Sequence, residues 1–340
     1  MTTAKRLLVA ALGLALLLAA GLAWLLLFYK SPPVDPAWAL EGSSDIPAGA
    51  VTVRFTGTST LLFSDGETSW MVDGWFSRPG PLKLLFGRIA PDMDAIGRGL
   101  AANKVSTLAA VFPMHSHYDH AMDSPEVARR TGAVLMGSES TANIGRGWGL
   151  PDSQIQVVAD RAPFQLGKFV ITPIVSRHFE FPDPALRERT LGDPLITAPL
   201  VPPVSVYDYK LGIPYVLYVT HPRGSWLIVG SAGFLEGALE GIRADTVFLG
   251  VGGLGSQTDA YRESFWRETI GRVQPGRVIP IHYDSLTAPA EGPFRGPVNA
   301  EAFLAGGLEN TRLFLERKQA ENPGLQFNTL PRFDEVVLFR

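Results

Sequence analysis

The longest uninterrupted apolar stretch lies near the start of the chain. No charged residue falls between Leu7 and Phe28. As a helix rising about 1.5 Å per residue, this run is roughly 33 Å long, enough to cross a bilayer core. Lys5 and Arg6 precede it, and Trp24 and Tyr29 sit near its far end, where amphipathic aromatics favour the interface. The pattern predicts a transmembrane anchor in residues 1–30. The basic flank puts the N-terminus in the cytoplasm and the bulk of the chain outside it, periplasmic or extracellular. A cleaved signal peptide is the competing reading. Gly21-Leu22-Ala23 has small-x-small character, but the apolar run continues through Trp24–Phe28 and exceeds the usual signal core. Residues 31–48, rich in Pro and Ser, read as a linker, and residues 49–340 as one domain.

Within the body, Val51–Thr56, Thr60–Phe63 and Ser69–Asp73 have strand patterns joined by tight turns, with a hairpin signal at Ser64-Asp65-Gly66-Glu67. Pro91–Ala102 predicts a helix. Leu108–Phe112 is a short apolar run of the buried-strand kind. Asp123-Ser124-Pro125-Glu126 then opens a helix, with capping-box spacing and Pro in the first turn. Phe169–Val175 is a strand, and Phe181–Pro203 is Pro-rich and aperiodic. Tyr215–Thr220 and Ser225–Val229 form a hairpin about His221-Pro222-Arg223-Gly224. Thr246–Val251 and Arg277–Ile281 are buried strands flanking a helix over Thr258–Val273. Helices over Asn299–Leu304 and Glu309–Lys318 and a strand over Glu335–Phe339 complete an α/β chain with mixed sheets.

Composition narrows the chemistry. Apolar residues make up 46% and charged residues 19% of 340 positions, which is globular. A net charge of −3 without a basic block excludes the clustered positive charge that nucleic-acid binding needs. The absence of cysteine excludes disulfides, thiolate metal sites and Cys nucleophiles, so a metal site must use His, Asp and Glu.

Such residues cluster in His115-Ser116-His117-Tyr118-Asp119-His120, directly after the buried strand Leu108–Phe112. In an extended loop His115 and His117 project the same way and can share one ion, while Asp119 and His120 turn towards a neighbouring position. Imidazole and carboxylate suit zinc and similar divalent ions. His178 and His282 each follow a strand and are placed as further ligands. His221 lies in a turn and reads as exposed.

The chain here resembles the metallo-β-lactamase fold superfamily, whose loop signature is H-x-H-x-D-H. Val53–Leu62 looks like its opening hairpin, and Met71-Val72-Asp73-Gly74 like the next strand with a terminal Asp. His178, Gly230-Ser231-Ala232-Gly233 and His282 follow in the family's order. The run Ile281-His282-Tyr283-Asp284 is most similar to the branch that holds sugar-lactone hydrolases and N-acyl phosphatidylethanolamine phospholipase D. The resemblance implies a four-layer αβ/βα sandwich with metals at one edge between the sheets. It implies His115, His117 and His178 at a first ion, and Asp119, His120 and His282 at a second, with Zn2+ as one or two ions. Ser231 stands where the family places a bridging Asp, which favours a single tight ion. The expected chemistry is hydrolysis of an ester, lactone, amide or phosphodiester by metal-activated water, with Asp119 as the catalytic acid/base. Asp73 and Asp284 are candidate partners of the ligand imidazoles. Trp75, Phe76, Leu82, Leu84, Leu85 and Phe86, with the region Leu195–Val206, are candidate walls of an apolar pocket for a small-molecule or lipid-like substrate. The alternative is a non-catalytic metal-binding protein that keeps the hydrolase fold.

Overall fold

The strands gather into two seven-stranded mixed sheets in a computed structural model that describes residues 2–300, 302 and 307–340. In the first sheet β1 (Val51–Gly57), β2 (Thr60–Ser64) and β3 (Ser69–Val72) run antiparallel. The sheet continues in parallel through β4 (Ala110–Phe112), β5 (Val134–Gly137) and β6 (Ile155–Val157). The second repeats the plan: β7 (Phe164–Leu166), β8 (Phe169–Val175), β9 (Tyr215–His221) and β10 (Gly224–Val229) are antiparallel. Parallel strands β11 (Thr246–Gly250), β12 (Arg277–Ile281) and β13 (Gln326–Phe327) follow. The final strand β14 (Val336–Phe339) returns to pair with β1 at the edge of the first sheet.

The two sheets bury their inner faces against each other. Phe63 stacks on Trp70 at 5.0 Å and lies 5.2 Å from Trp226, which meets Phe169 edge-on at 6.0 Å. On the outer face of the first sheet, Met71, Val111 and Leu135 pack against Ile96 and Leu100 of α3 (Met93–Ala102) and Val127 of α5 (Ser124–Thr131). On the far side of the second sheet, Trp266 at the end of α8 (Asp259–Trp266) stacks on Phe327 of β13. The helix Leu308–Glu321 brings Phe314 edge-on to the same ring. The result is the expected helix–sheet–sheet–helix sandwich.

Several local expectations shift. Asp123 precedes α5 but does not cap it; its carboxylate instead accepts from the Phe76 and Ser77 N–H groups, both at 2.7 Å. Two polar links to a neighbouring loop win over one to the helix's own turn. The region Phe181–Pro203 contains α7 (Pro184–Leu191), started by the Asp183 carboxylate accepting from the Leu186 N–H at 2.7 Å, with Pro184 in the first turn. Of the helix expected at Asn299–Leu304, residues 299, 300 and 302 are helical and the rest lie outside the described residues.

Residues 31–48 are not a free tether. Trp38 is buried, stands 5.0 Å from Phe327, and donates its indole N–H to Gln319 at 3.0 Å. The Leu40 N–H donates to the Thr329 carbonyl at 2.9 Å. Upstream, α1 (Thr3–Leu27) is exposed along nearly all its length. Its C-terminal end is fixed: Asn299 donates to the Trp24 carbonyl at 3.0 Å and the Lys30 N–H to the Pro297 carbonyl at 2.9 Å.

His221 corrects its expected exposure. It ends β9 with a side chain only 2% exposed, tilted on Phe169 at 4.9 Å and 3.3 Å from Asp65 in the β2–β3 turn. The turn carboxylate also accepts from the Glu67 and Thr68 N–H groups at 2.9 and 2.7 Å. Burial opposes the charge on Asp65, but these donors and His221 outweigh it and hold the carboxyl below its ordinary value. A carboxyl lowered on folding stabilises above its unfolded pKa and loses that contribution as pH falls through the folded one. Asp65→Ala is therefore expected to cost about 1–3 kcal/mol near neutrality. The gap from the native protein should narrow as pH drops below about 4, read by chemical denaturation across that range; a gap independent of pH would contradict this role.

Candidate metal centre

The loop after β4 brings its histidines to the end of the first sheet, facing loops from the second. His115, His117 and His178 offer three nitrogens within 4.8 Å of one another, and Asp119, His120 and His282 form a second group of the same compactness. All six residues singled out in the sequence therefore converge. The sheet ends explain why: β4, β8 and β12 deliver His115, His178 and His282, and the one-turn helix α4 (Tyr118–Ala121) swings Asp119 and His120 round behind His117.

The imidazoles are oriented by their other nitrogens. His178 Nδ1 lies 2.8 Å from the Phe179 carbonyl, so it carries the hydrogen and leaves Nε2 free to bind. His117 Nε2 lies 3.4 Å from the Thr190 carbonyl at the end of α7, which turns its Nδ1 towards His115 Nε2 at 3.1 Å. Two ring nitrogens this close have room for one hydrogen or one shared cation. His120 Nδ1 is 2.8 Å from Asp73 Oδ2, and its Nε2 is 3.6 Å from Asp119 Oδ2, which also approaches His282 Nε2 at 3.3 Å.

Electrostatics divides the groups. Burial, reinforced by neighbouring imidazoles, holds His115 well below its ordinary value. Burial likewise takes His117 down to about 4, with Asp119 opposing, and His178 to about 3. These three are neutral at pH 7, as ligand imidazoles must be. Burial also acts to lower His120, but Asp73 and Asp119 on either side outweigh it and raise the imidazole. Burial opposes charge on Asp119, yet His120, His282 and His117 together hold its carboxyl far below the usual range. The site is thus built to favour positive charge between its carboxylates, and its N- and O-donors fit a borderline divalent ion such as zinc.

Close approach of backbone fixes two of the histidines. A Cβ on Gly252 would stand 2.5 Å from His282 Nδ1, and one on Gly233 would stand 2.0 Å from the Arg177 carbonyl and 2.7 Å from the His178 carbonyl carbon. His282 itself has φ 58°, and its N–H donates at 2.6 Å to the carbonyl of Thr58, which has φ 53°.

Asp73 meets the sequence expectation: it holds His120 and also accepts from the Met114 N–H at 2.8 Å. Asp284 does not touch a ligand imidazole. It accepts from the Thr58 N–H at 2.6 Å and pairs with Arg78 at 3.2 Å and Arg332 at 3.6 Å. It reaches His282 only through Thr58, because two buried guanidiniums claim its oxygens. Ser231 is buried in the turn after β10 and lies in neither group. Among the described residues Asp119 is the one acid in the two clusters, and Glu236 joins neither.

An open cavity of about 370 Å³ reaches the two clusters and is lined by His117, Asp119, His178 and His282. Of the expected apolar walls, Leu84 and Leu85 line it, as does Val206. Trp75 and Phe76 are core residues, while Leu82 and Phe86 point to solvent. Other parts of the wall were missed, among them Phe179, Phe181, Leu186 of α7, Tyr209 and Gly252–Gly253. The Asp183-Pro184 pair was the available signal for α7.

Asp73→Asn replaces one acceptor oxygen with an N–H2 that must face either the Met114 N–H or the His120 Nδ1–H. Metal affinity at the second position, where His120 stands, should fall about 10–100-fold, read by chelating-dye competition at metal levels that fill the protein beyond its first ion. Unchanged affinity would contradict the orienting role.

No family model matches the chain, and no curated protein matches it. Solved structures do. A possible metal-dependent hydrolase from Veillonella parvula DSM 2008 aligns with a TM-score of 0.50 and 12% identity, over 86% of this chain and 100% of that one. Igni18, a metallo hydrolase from Ignicoccus hospitalis, gives 0.46 and 14% over 83% and 94%. The metallo-β-lactamase fold protein YhfI from Bacillus subtilis gives 0.45 and 15% over 84% and 99%. The chain shares the fold of the Veillonella protein, and at these identities the likeness is one of fold alone.

Proposed function

We propose that this protein is a membrane-anchored, metal-dependent hydrolase. Its cleft takes a small or lipid-like substrate with an ester, lactone, amide or phosphodiester bond. The observation that carries the reading is the placement of two His/Asp clusters at the inner end of an apolar cleft. His115, His117 and His178 are assigned to a first ion, and Asp119, His120 and His282 to a second position. When bound, a divalent ion such as zinc activates water and polarises the scissile group.

The chain supplies the rest. Asp119 lines the cleft with a carboxylate held ionised by His120, His282 and His117; it is assigned to accept a proton from the attacking water and return it to the leaving group. Phe179, Phe181 and Leu186 exclude water and receive the apolar part of the substrate. The Lys5-Arg6 flank supports an extracytoplasmic body behind α1.

A second reading rests on Ser231. With Asp119 as the single acid of both clusters, two divalent ions at close quarters lack a second anionic ligand. The protein is then expected to hold one tight ion, and a catalytically silent metal-binding protein is the limiting case. Hydrolysis of a panel of acylated esters, lactones, amides and phosphodiesters by the metal-loaded protein separates the two.

His117→Ala should abolish first-site metal and hydrolysis together, because it deletes the nitrogen facing His115. Full activity in a folded His117→Ala variant of known metal content would overturn the hydrolase reading. Ser231→Asp should raise metal content from close to one ion towards two in the same metal buffer, by elemental analysis. Two tightly held ions in the native protein would contradict the proposed consequence of Ser231.

A further inference from the structure

We propose that α2 (Pro81–Phe86) is a second membrane contact: it enters the leaflet in which α1 ends and places the mouth of the cleft at the bilayer surface. The inference rests on the anchored reading of α1 and extends it to a part of the fold that the chemistry above leaves unused.

The sequence of α2 is Pro-Leu-Lys-Leu-Leu-Phe, and none of its residues is buried. Phe86 is 84% exposed, Leu82 55% and Leu85 50%. Three large apolar side chains on one short helix form a contiguous exposed patch, which soluble surfaces rarely carry without an occupant. Lys83 within α2 and Arg88 just after it are exposed as well. Apolar side chains with basic residues among them match the interface of an anionic leaflet.

Position decides between lipid and other occupants. Leu84 and Leu85 line the cleft, so α2 forms part of its rim. Pro33 and Pro297 line the same cleft. Pro33 follows closely on the C-terminal end of α1, and Pro297 accepts a hydrogen bond from the Lys30 N–H. The rim of the cleft is thus bounded both by α2 and by the segment that leaves the anchor. The end of α1 cannot swing away from the body, because Asn299 holds the Trp24 carbonyl and the Gly296 N–H donates to the Lys30 carbonyl at 2.9 Å. Downstream, Trp38 is locked against Phe327 and Gln319. A body fixed to an anchor at the rim of its cleft presents that rim to the membrane, and α2 is the exposed apolar element of the rim.

The chain has no cysteine, so a single introduced thiol reports on one place. Phe86→Cys places a probe on α2. Glu67→Cys places one in the β2–β3 turn, at the opposite end of the first sheet from the metal loop. Each full-length variant, carrying an environment-sensitive fluorophore, is reconstituted in phosphatidylcholine/phosphatidylglycerol vesicles and checked for metal content and for retention after carbonate washing. The probe at 86 is expected to be quenched by bromolipid and to show at least several-fold weaker quenching by aqueous iodide than the probe at 67. Equal iodide quenching of both probes in protein retained by the vesicles would overturn the α2 contact and leave the anchor and the hydrolase reading standing. Release by carbonate would overturn the anchor and this inference with it. Shielding of residue 86 that follows protein density and not bromolipid would assign the face to a second copy of the chain and would equally overturn it.

Discussion

The buried carboxylate of Asp73 is the constraint on which the site depends. It sits fully enclosed at the end of β3 in a left-handed conformation, φ 59°, which a non-glycine residue adopts at a cost of about 1–3 kcal/mol. Burial, with the Asp119 carboxylate nearby, raises its carboxyl even against the pull of His120 and the Met114 N–H. The cost is reduced because every polar atom finds a partner. One oxygen takes the Met114 N–H, the other takes His120 Nδ1, and the backbone carbonyl takes the Ser124 hydroxyl at the start of α5. Three elements are tied by one residue: the exit of β4, the turn of α4 and the first turn of α5. The path of the chain from His115 to His120 follows from those ties.

The same logic recurs on the second sheet. Asp284 holds the Thr58 N–H, and Thr58 in turn accepts the N–H of His282, so that two left-handed residues support each other across the gap between the sheets. The two guanidiniums of Arg78 and Arg332 occupy Oδ2 of Asp284. One acid therefore orients a candidate ligand directly and the other through a backbone link. The clusters form where the two sheets' strand ends meet, which is also where the apolar cleft opens.

Much of this was legible in the sequence. The strands β4, β8 and β12 are mainly apolar runs, and the six clustered side chains stand within a few residues after them, so their convergence follows from strand topology. What was not legible is long-range and polar. Nothing local to Asp284 says that Arg332 will claim it. His221 looks exposed in a Pro-Gly turn until β9 and the Asp65 turn enclose it. Pro- and Ser-rich composition hid the docking of Trp38, whose burial depends on Phe327 almost at the other end of the chain. The helix α7 was concealed because Leu186 and Leu191 fall five residues apart and make no continuous apolar face, with only Asp183-Pro184 marking its start. Ser231, the departure from the resembled pattern, joins neither cluster, and among the described residues Asp119 is the one acid in them.

The central claim is that His115, His117 and His178 form one cation site at the inner end of the cleft. The most direct measurement is anomalous diffraction at the metal edge on crystals of the natively purified protein, with no chelator and no added metal. The account predicts one strong peak coordinated by nitrogens of these three histidines, with a weaker peak or none near Asp119, His120 and His282. A metal peak bound elsewhere on the chain, with the three histidines uncoordinated, would contradict it.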